Sequence, residues 1–240
     1  MKKVSLFILL MVCMFTLSGC LYPENRLAQN QVPYPDQLAS VQSAVNQYKK
    51  DTNGLLPIKT RDEKTPMYQR YPVDFTKLTP KYMSDAPGNA YESGGPFQYV
   101  IMDAETNPTI KLIDLHTTDK LRDVKLQIDM YKDNNTYPAI KKVITDGVYM
   151  LNYKKMGFKE EPYVISPYSH KNLPIVMGAD GQLYIDYSVD LYEQLKKSKK
   201  QYKEGDDIRD LLYTNSPFVP AYSLPYTVKN GEPVFKTNNH

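Results

Sequence analysis

Leu38-Ala39-Ser40-Val41-Gln42-Ser43-Ala44-Val45-Asn46-Gln47-Tyr48 sets the reading of the chain. Leu38, Val41, Val45 and Tyr48 fall at i, i+3, i+7 and i+10, the spacing that lines one face of an α-helix. Asp51-Thr52-Asn53-Gly54-Leu55-Leu56-Pro57 then stops it, because Asn and Gly accept positive φ and Pro cannot continue a helix. The pattern returns further on. Leu121, Val124, Ile128 and Tyr131 repeat the spacing, and Asp133-Asn134-Asn135-Thr136-Tyr137-Pro138 is a second stop of the same kind.

The correspondence extends beyond the helices. Asp74-Phe75-Thr76-Lys77 matches Asn152-Tyr153-Lys154-Lys155, and a loop rich in Pro, Tyr and Gly follows each. Pro96 to Ile101 leads through a polar turn to Thr109–Ile113, and Pro174–Met177 leads through Ala179-Asp180-Gly181-Gln182 to Leu183–Ile185. Asp-Gly between β-prone runs is a hairpin signal. The expected fold is therefore α+β: a tandem repeat of helix, long loop and antiparallel β-hairpin over residues 36–115 and 116–187. Residues 188–240 read as a degenerate third repeat or a C-terminal extension. Its helix is expected from Val189 to Tyr202 with Tyr192, Leu195 and Tyr202 on the stripe, and Ser216-Pro217-Phe218, Leu224-Pro225 and Asn230-Gly231 echo Ser166-Pro167-Tyr168, Leu173-Pro174 and Asp180-Gly181.

The N-terminus reads as an address. Lys2 and Lys3 precede an uncharged run from Val4 to Leu17, shorter than the about 20 residues a spanning helix needs but suited to a secretory signal. Leu17-Ser18-Gly19-Cys20 resembles the lipobox of bacterial lipoproteins, which places signal cleavage between Gly19 and Cys20 and lipidation on the Cys20 thiol. Residues 1–19 are then a lipoprotein signal peptide and 20–35 a lipidated tether, punctuated by Pro23, Pro33 and Pro35, with a root-mean-square reach of roughly 20 Å. Of the chain's 2 Cys, Cys13 leaves with the leader, so no disulfide is expected. Most of the net charge of +3 belongs to the two leader lysines, which leaves no field suited to nucleic acid.

Little catalytic chemistry is legible. His116 follows a predicted strand and His170 sits in a loop, neither in a hydrolase or zinc-protease context, and His240 is terminal. Ser93 lacks the preceding Gly of a nucleophile elbow. Asp103-Ala104-Glu105-Thr106-Asn107 alternates oxygen ligands but lacks the central Gly and distal Glu of a calcium loop, and reads as a hairpin turn. Lys196, Lys197, Lys199, Lys200 and Lys203 form a basic run flanked by Glu193, Glu204, Asp206 and Asp207, which reads as a solvated face that could also meet an anionic surface. All 21 Tyr lie beyond the leader, and core packing is their expected role. No catalytic, cofactor-binding or metal-binding residue is expected.

With the lipobox, Pro57-Ile58-Lys59-Thr60-Arg61-Asp62, Pro87-Gly88-Asn89-Ala90-Tyr91-Glu92-Ser93-Gly94-Gly95 and Glu204-Gly205-Asp206-Asp207-Ile208-Arg209-Asp210 in view, the whole chain resembles an uncharacterised lipoprotein family of Bacillus-type, spore-forming bacteria. The order of helix, Asn-rich turn, Tyr-Pro and hairpins also loosely resembles the heads of pilin-like proteins, although the leader resembles a lipoprotein signal. The lipoprotein resemblance implies an exported, membrane-anchored protein and brings no active site. The expectation is a non-catalytic interaction or envelope-assembly protein on the extracytoplasmic face of the cell membrane. The alternative is a ligand-binding lipoprotein that captures a solute or wall polymer. Expected partners are the membrane, through a diacylglyceryl group on Cys20, and an envelope protein or wall polymer, but no nucleic acid. Cys20→Ser should move the protein from the membrane pellet to the soluble fraction, and a variant that still sediments with membranes would refute the anchor.

Overall fold

A computed structural model describes residues 35–236. The cleavage and lipidation site at Gly19 and Cys20, and all of the tether before Pro35, lie outside them. The architecture is α+β with antiparallel sheets. In chain order it comprises α1 (Pro35–Asp51), β1 (Phe97–Met102), β2 (Thr109–Asp114), α2 (Leu115–Asn135), β3 (Ile140–Thr145) and β4 (Val148–Leu151). There follow β5 (Tyr163–Ile165), β6 (Asn172–Gly178), β7 (Leu183–Ile185), α3 (Ser188–Lys197), α4 (Asp210–Tyr213), β8 (Tyr226–Lys229) and β9 (Glu232–Phe235). Among the described residues no helix is long and apolar enough to cross a membrane.

Both helical stripes face cores. Val41 and Val45 are fully buried against β1 and β2, with Leu38 and Tyr48 at the margin, and Leu121, Val124 and Ile128 pack into a second core beneath the larger sheet. Asn53 and Gly54, both at positive φ, follow α1, and Thr136, at φ 54°, follows α2. Asp103–Asn107 lies in the connection between β1 and β2, which pair from Phe97↔Asp114 to Met102↔Thr109.

The first loop is less irregular than expected, because parts of it extend the small sheet. Val73 N–H donates to Tyr99 O, Ile101 N–H donates to Tyr71 O, and Lys59 N–H donates to Pro72 O, each at 2.8–2.9 Å. On the other flank, β2 turns the N–H groups of Ile110 and Leu112 outward. Gln42 of α1 satisfies Ile110 through its side-chain oxygen at 2.8 Å and donates its amide to Pro108 O at 3.0 Å. Leu112 is taken by the far end of the chain. Its N–H donates to Pro217 O at 2.8 Å and its carbonyl accepts from Val219 N–H at 3.1 Å. Phe218, between them, meets Phe97 edge to face at 5.5 Å.

The larger sheet departs most from the expected unit. Beside the β6–β7 hairpin stand a further hairpin, β3–β4, and the short strand β5. Asp146-Gly147 forms the tight β3–β4 turn, with Gly147 at φ 73°. Even-numbered residues of β6 face β7, since Asp186 N–H donates to Pro174 O and Gly178 N–H to Gln182 O. The odd residues face β4 at Met177 and β5 at Leu173, so β4 and β5 lie end to end along one edge. The Ile175 carbonyl falls in the gap and accepts the Tyr153 hydroxyl at 2.9 Å.

The third segment also differs. α3 ends at Lys197, not Tyr202, because Ser198 leaves the helix in extended conformation and its hydroxyl accepts from Lys200 N–H. Its buried residues are Asp190 and Leu191, whereas Tyr192 is exposed and Leu195 half-buried. The chain then returns to the first sheet. Lys111, nearly buried on β2, donates to the carbonyls of Tyr213 and Ser216 at 2.6 Å each. Arg209 pairs with Asp207, donates to Ser223 O and lies over the Tyr68 ring. A third apolar cluster, including Tyr68, Val100, Ile113 and Val219, fills the seam. The three segments thus share the order helix then hairpin but not the same number of elements.

Tyrosines do much of the packing. Tyr68, Tyr99, Tyr153, Tyr187 and Tyr226 are buried, and four of their hydroxyls donate inside the protein: Tyr99 to Asn89, Tyr153 to Ile175, Tyr187 to Ala221 and Tyr226 to Asp186. Gly95 lets Asn89 sit where it does, since a Cβ there would lie 2.2 Å from the Asn89 carbonyl carbon.

Two predictions follow from this packing. Lys111→Met keeps the aliphatic stem but strips two buried carbonyls of their donor, and should cost about 2 kcal/mol in urea unfolding at neutral pH. An unchanged midpoint would show that the clamp contributes nothing. Burial raises the pKa of all five buried tyrosines, with Tyr99 pushed up to about 12. The unfolded chain releases these protons near pH 10 and the folded chain holds them, so their contribution to stability is complete below pH 10 and is lost as pH rises through the folded values. Their 295 nm phenolate absorbance should appear only with cooperative loss of the near-ultraviolet dichroism. Full ionisation of all 21 Tyr with dichroism intact would contradict the burial.

Candidate functional site

Asp114 ends β2 and starts α2 without a linker, because its carboxylate accepts the His116 N–H at 2.9 Å as the helix N-cap. This direct passage fixes α2 across the larger sheet and leaves a trough between its first half and residues 158–167. The trough has a volume of about 970 Å³. Phe97 and Phe218 stand at one end, Val124 and Phe158 contribute apolar floor, and β5 supplies Tyr163, Val164 and Ile165. Asp123, Glu160 and Glu161 stand on the rim, all exposed.

The trough brings together the two described histidines, His116 and His170. His116 Nδ1 lies 3.0 Å from Asp114 Oδ1 at an exposed helix start. His170 is exposed, at φ 57°, in the turn after β5. That turn is held from below. The fully buried Ser166 hydroxyl accepts the N–H groups of Tyr168 and Ser169 at 3.0 Å and donates to Asp190 Oδ2 at 2.8 Å. Asp190 Oδ1 has no hydrogen-bond partner among the described residues. Desolvation raises the Asp190 pKa, with the Ser169 and Ser166 hydroxyls pulling it down. Ser166 and His170 share a turn and Asp190 reaches Ser166 from α3, but Ser166 Oγ donates to the carboxylate and the residue is fully buried. The arrangement positions a loop.

Ser93 lies elsewhere, in a short turn where its hydroxyl donates to Ala86 O. In the basic run, Lys196 lies over the Tyr192 ring and Lys200 pairs with Asp210. Among the described residues no cluster of three or more His, Cys, Asp or Glu side chains could hold a metal ion. A second cleft, of about 920 Å³, lies beside β8 and β9 and includes Asp186 and Glu204. Its wall reaches Lys236, the last described residue, and it gathers neither histidine.

Sequence reading singled out both histidines but missed the acidic rim and aromatic floor. Glu160-Glu161-Pro162-Tyr163 carried a usable signal, two carboxylates before a strand edge. Phe97 and Phe218 did not, because their meeting depends on a return of the chain from residue 217 to residue 112.

An α+β protein with an open, acidic-rimmed trough is the class these features define. Residues 34–114 match the YphF family N-terminal domain, a span that covers α1 through β2 and stops where α2 begins. Of the trough, only Phe97 and Asp114 fall within that match. No curated protein and no solved structure matches the chain.

Proposed function

We propose that the protein is a lipid-anchored, extracytoplasmic lipoprotein of the kind found in Bacillus-type bacteria, held in the membrane through Cys20. On this reading it works by non-catalytic binding, with the trough between α2 and β5 as its contact surface. The observation that carries the reading is the trough itself: apolar and aromatic below, carboxylate-lined above, and with its one serine–carboxylate pair used to brace a loop. Exposed apolar side chains on its wall, Tyr163 at 44% and Ile165 at 60%, are the kind of surface a partner covers.

The volume also falls in the range of small-molecule sites, which favours solute capture as a second reading. A phosphate-rich wall polymer is disfavoured by the acidic rim. The tandem-repeat history is likewise proposed. α1 precedes β1–β2, α2 precedes β6–β7, and α3 precedes β8–β9, with β3–β4 and β5 as additions to the second unit.

A photo-crosslinking residue placed at Gln127, on the trough wall, should give discrete protein adducts in intact membranes, whereas the same residue at Ser43, on the exposed face of α1, should not. Equal labelling at both positions, or none at 127, would count against the trough as the working surface.

A further inference from the structure

β5 has one strand partner among the described residues, β6, and its ladder leaves a row of backbone groups open. Ser166 N–H donates to Lys171 O at 2.8 Å, so residues 166 and 171 form a hydrogen-bonded pair. In an antiparallel ladder such pairs alternate. Val164 and Leu173 are then the next bonded pair, and Tyr163 and Ile165 turn their N–H and C=O groups away from β6. β3 covers the outer edge of β4 but pairs with no residue of β5, which continues the same row. Tyr163 and Ile165, which carry that open row, both line the trough.

The charge of the walls points to one kind of occupant. Asp114, Asp123, Glu160 and Glu161 face a single lysine, Lys120, among the residues that form the trough. Glu161 is paired with Lys141 and Asp114 lies against His116, whereas Asp123 and Glu160 have no ion pair among the described residues.

We infer that the trough takes an extended, basic peptide segment of a partner protein, which adds as a strand to the open edge of β5 while its lysine or arginine side chains meet Asp123 and Glu160. This rests on the trough being the working surface and names what fills it. Main-chain hydrogen bonds to Tyr163 and Ile165 supply affinity independent of side-chain identity, and alternate side chains point to floor and rim. The carboxylates select for cationic segments and against acidic ones.

The test uses the folded protein and a fluorescent, end-capped Lys-Val-Lys-Val-Lys-Val hexapeptide. Binding followed by anisotropy should shift amide resonances in 114–127 and 158–170. Affinity should fall about tenfold or more for the Glu-Val-Glu-Val-Glu-Val counterpart, for the Asp123→Lys, Glu160→Lys double variant, and for a hexapeptide N-methylated at alternate amides. The two substituted positions are exposed, and the methylated ligand needs no protein variant at all. The inference fails if neither peptide binds, if the acidic one binds as tightly, if methylation has no effect, or if the shifts map elsewhere. Adducts at Gln127 despite any of those results would leave the trough as a contact surface for a partner of another chemistry.

Discussion

The outer edge of β2 organises this molecule. A two-stranded ribbon exposes donors and acceptors on both flanks and is marginal alone. Here much of that edge is occupied from distant points in the sequence: Gln42 at Pro108 and Ile110, residues 217 and 219 at Leu112. Each backbone bond contributes about 1 kcal/mol net, and the Phe97–Phe218 contact adds about 1 more. Their larger effect is geometric, since they bind α1, the small sheet and the last part of the chain into one arrangement.

That arrangement also makes the trough. β2 runs into α2 at Asp114, so the direction of the small sheet dictates where α2 crosses the larger one. Phe218 closes one end only because its neighbours are hydrogen-bonded to Leu112. The acidic residues of the rim are at exposed surface positions, with Glu161 paired only to the exposed Lys141. A surface of this kind can change its charge without disturbing the core, whereas Asp190 and Ser166 below it cannot.

Local features were legible in the sequence to the extent that they were governed by nearby residues. The stripes of α1 and α2 appear where the spacing puts them, and Pro87–Gly95 proves to hold the Asn89–Gly95 close approach behind Tyr99. The Asp146-Gly147 hairpin is equally local, but a repeat unit with one hairpin leaves that stretch in its long loop. α3 starts where expected but ends early and buries another face, because Tyr and Leu spacing alone does not show that Asp190 is a buried residue, which depends on Ser166 from another segment. The trough was legible only in part. Its histidines stand out as residue types, but the Phe97–Phe218 end is assembled by pairings between residues about a hundred positions apart, which no periodicity records. The family match stops at residue 114 and takes in only Phe97 and Asp114 of the trough.

The return of residues 217 and 219 to Leu112 has a temporal consequence. Contacts of such long sequence separation form late, because a long loop must close before they reward it. As the chain is synthesised from its N-terminus, α1 and the β1–β2 ribbon appear first, yet the ribbon keeps an unpaired flank until nearly all of the protein has followed. Gln42 protects one stretch of that flank from the start. The rest stays open to foreign strands for the whole interval, so the length of the nascent chain acts as a clock on its own vulnerability to mispairing.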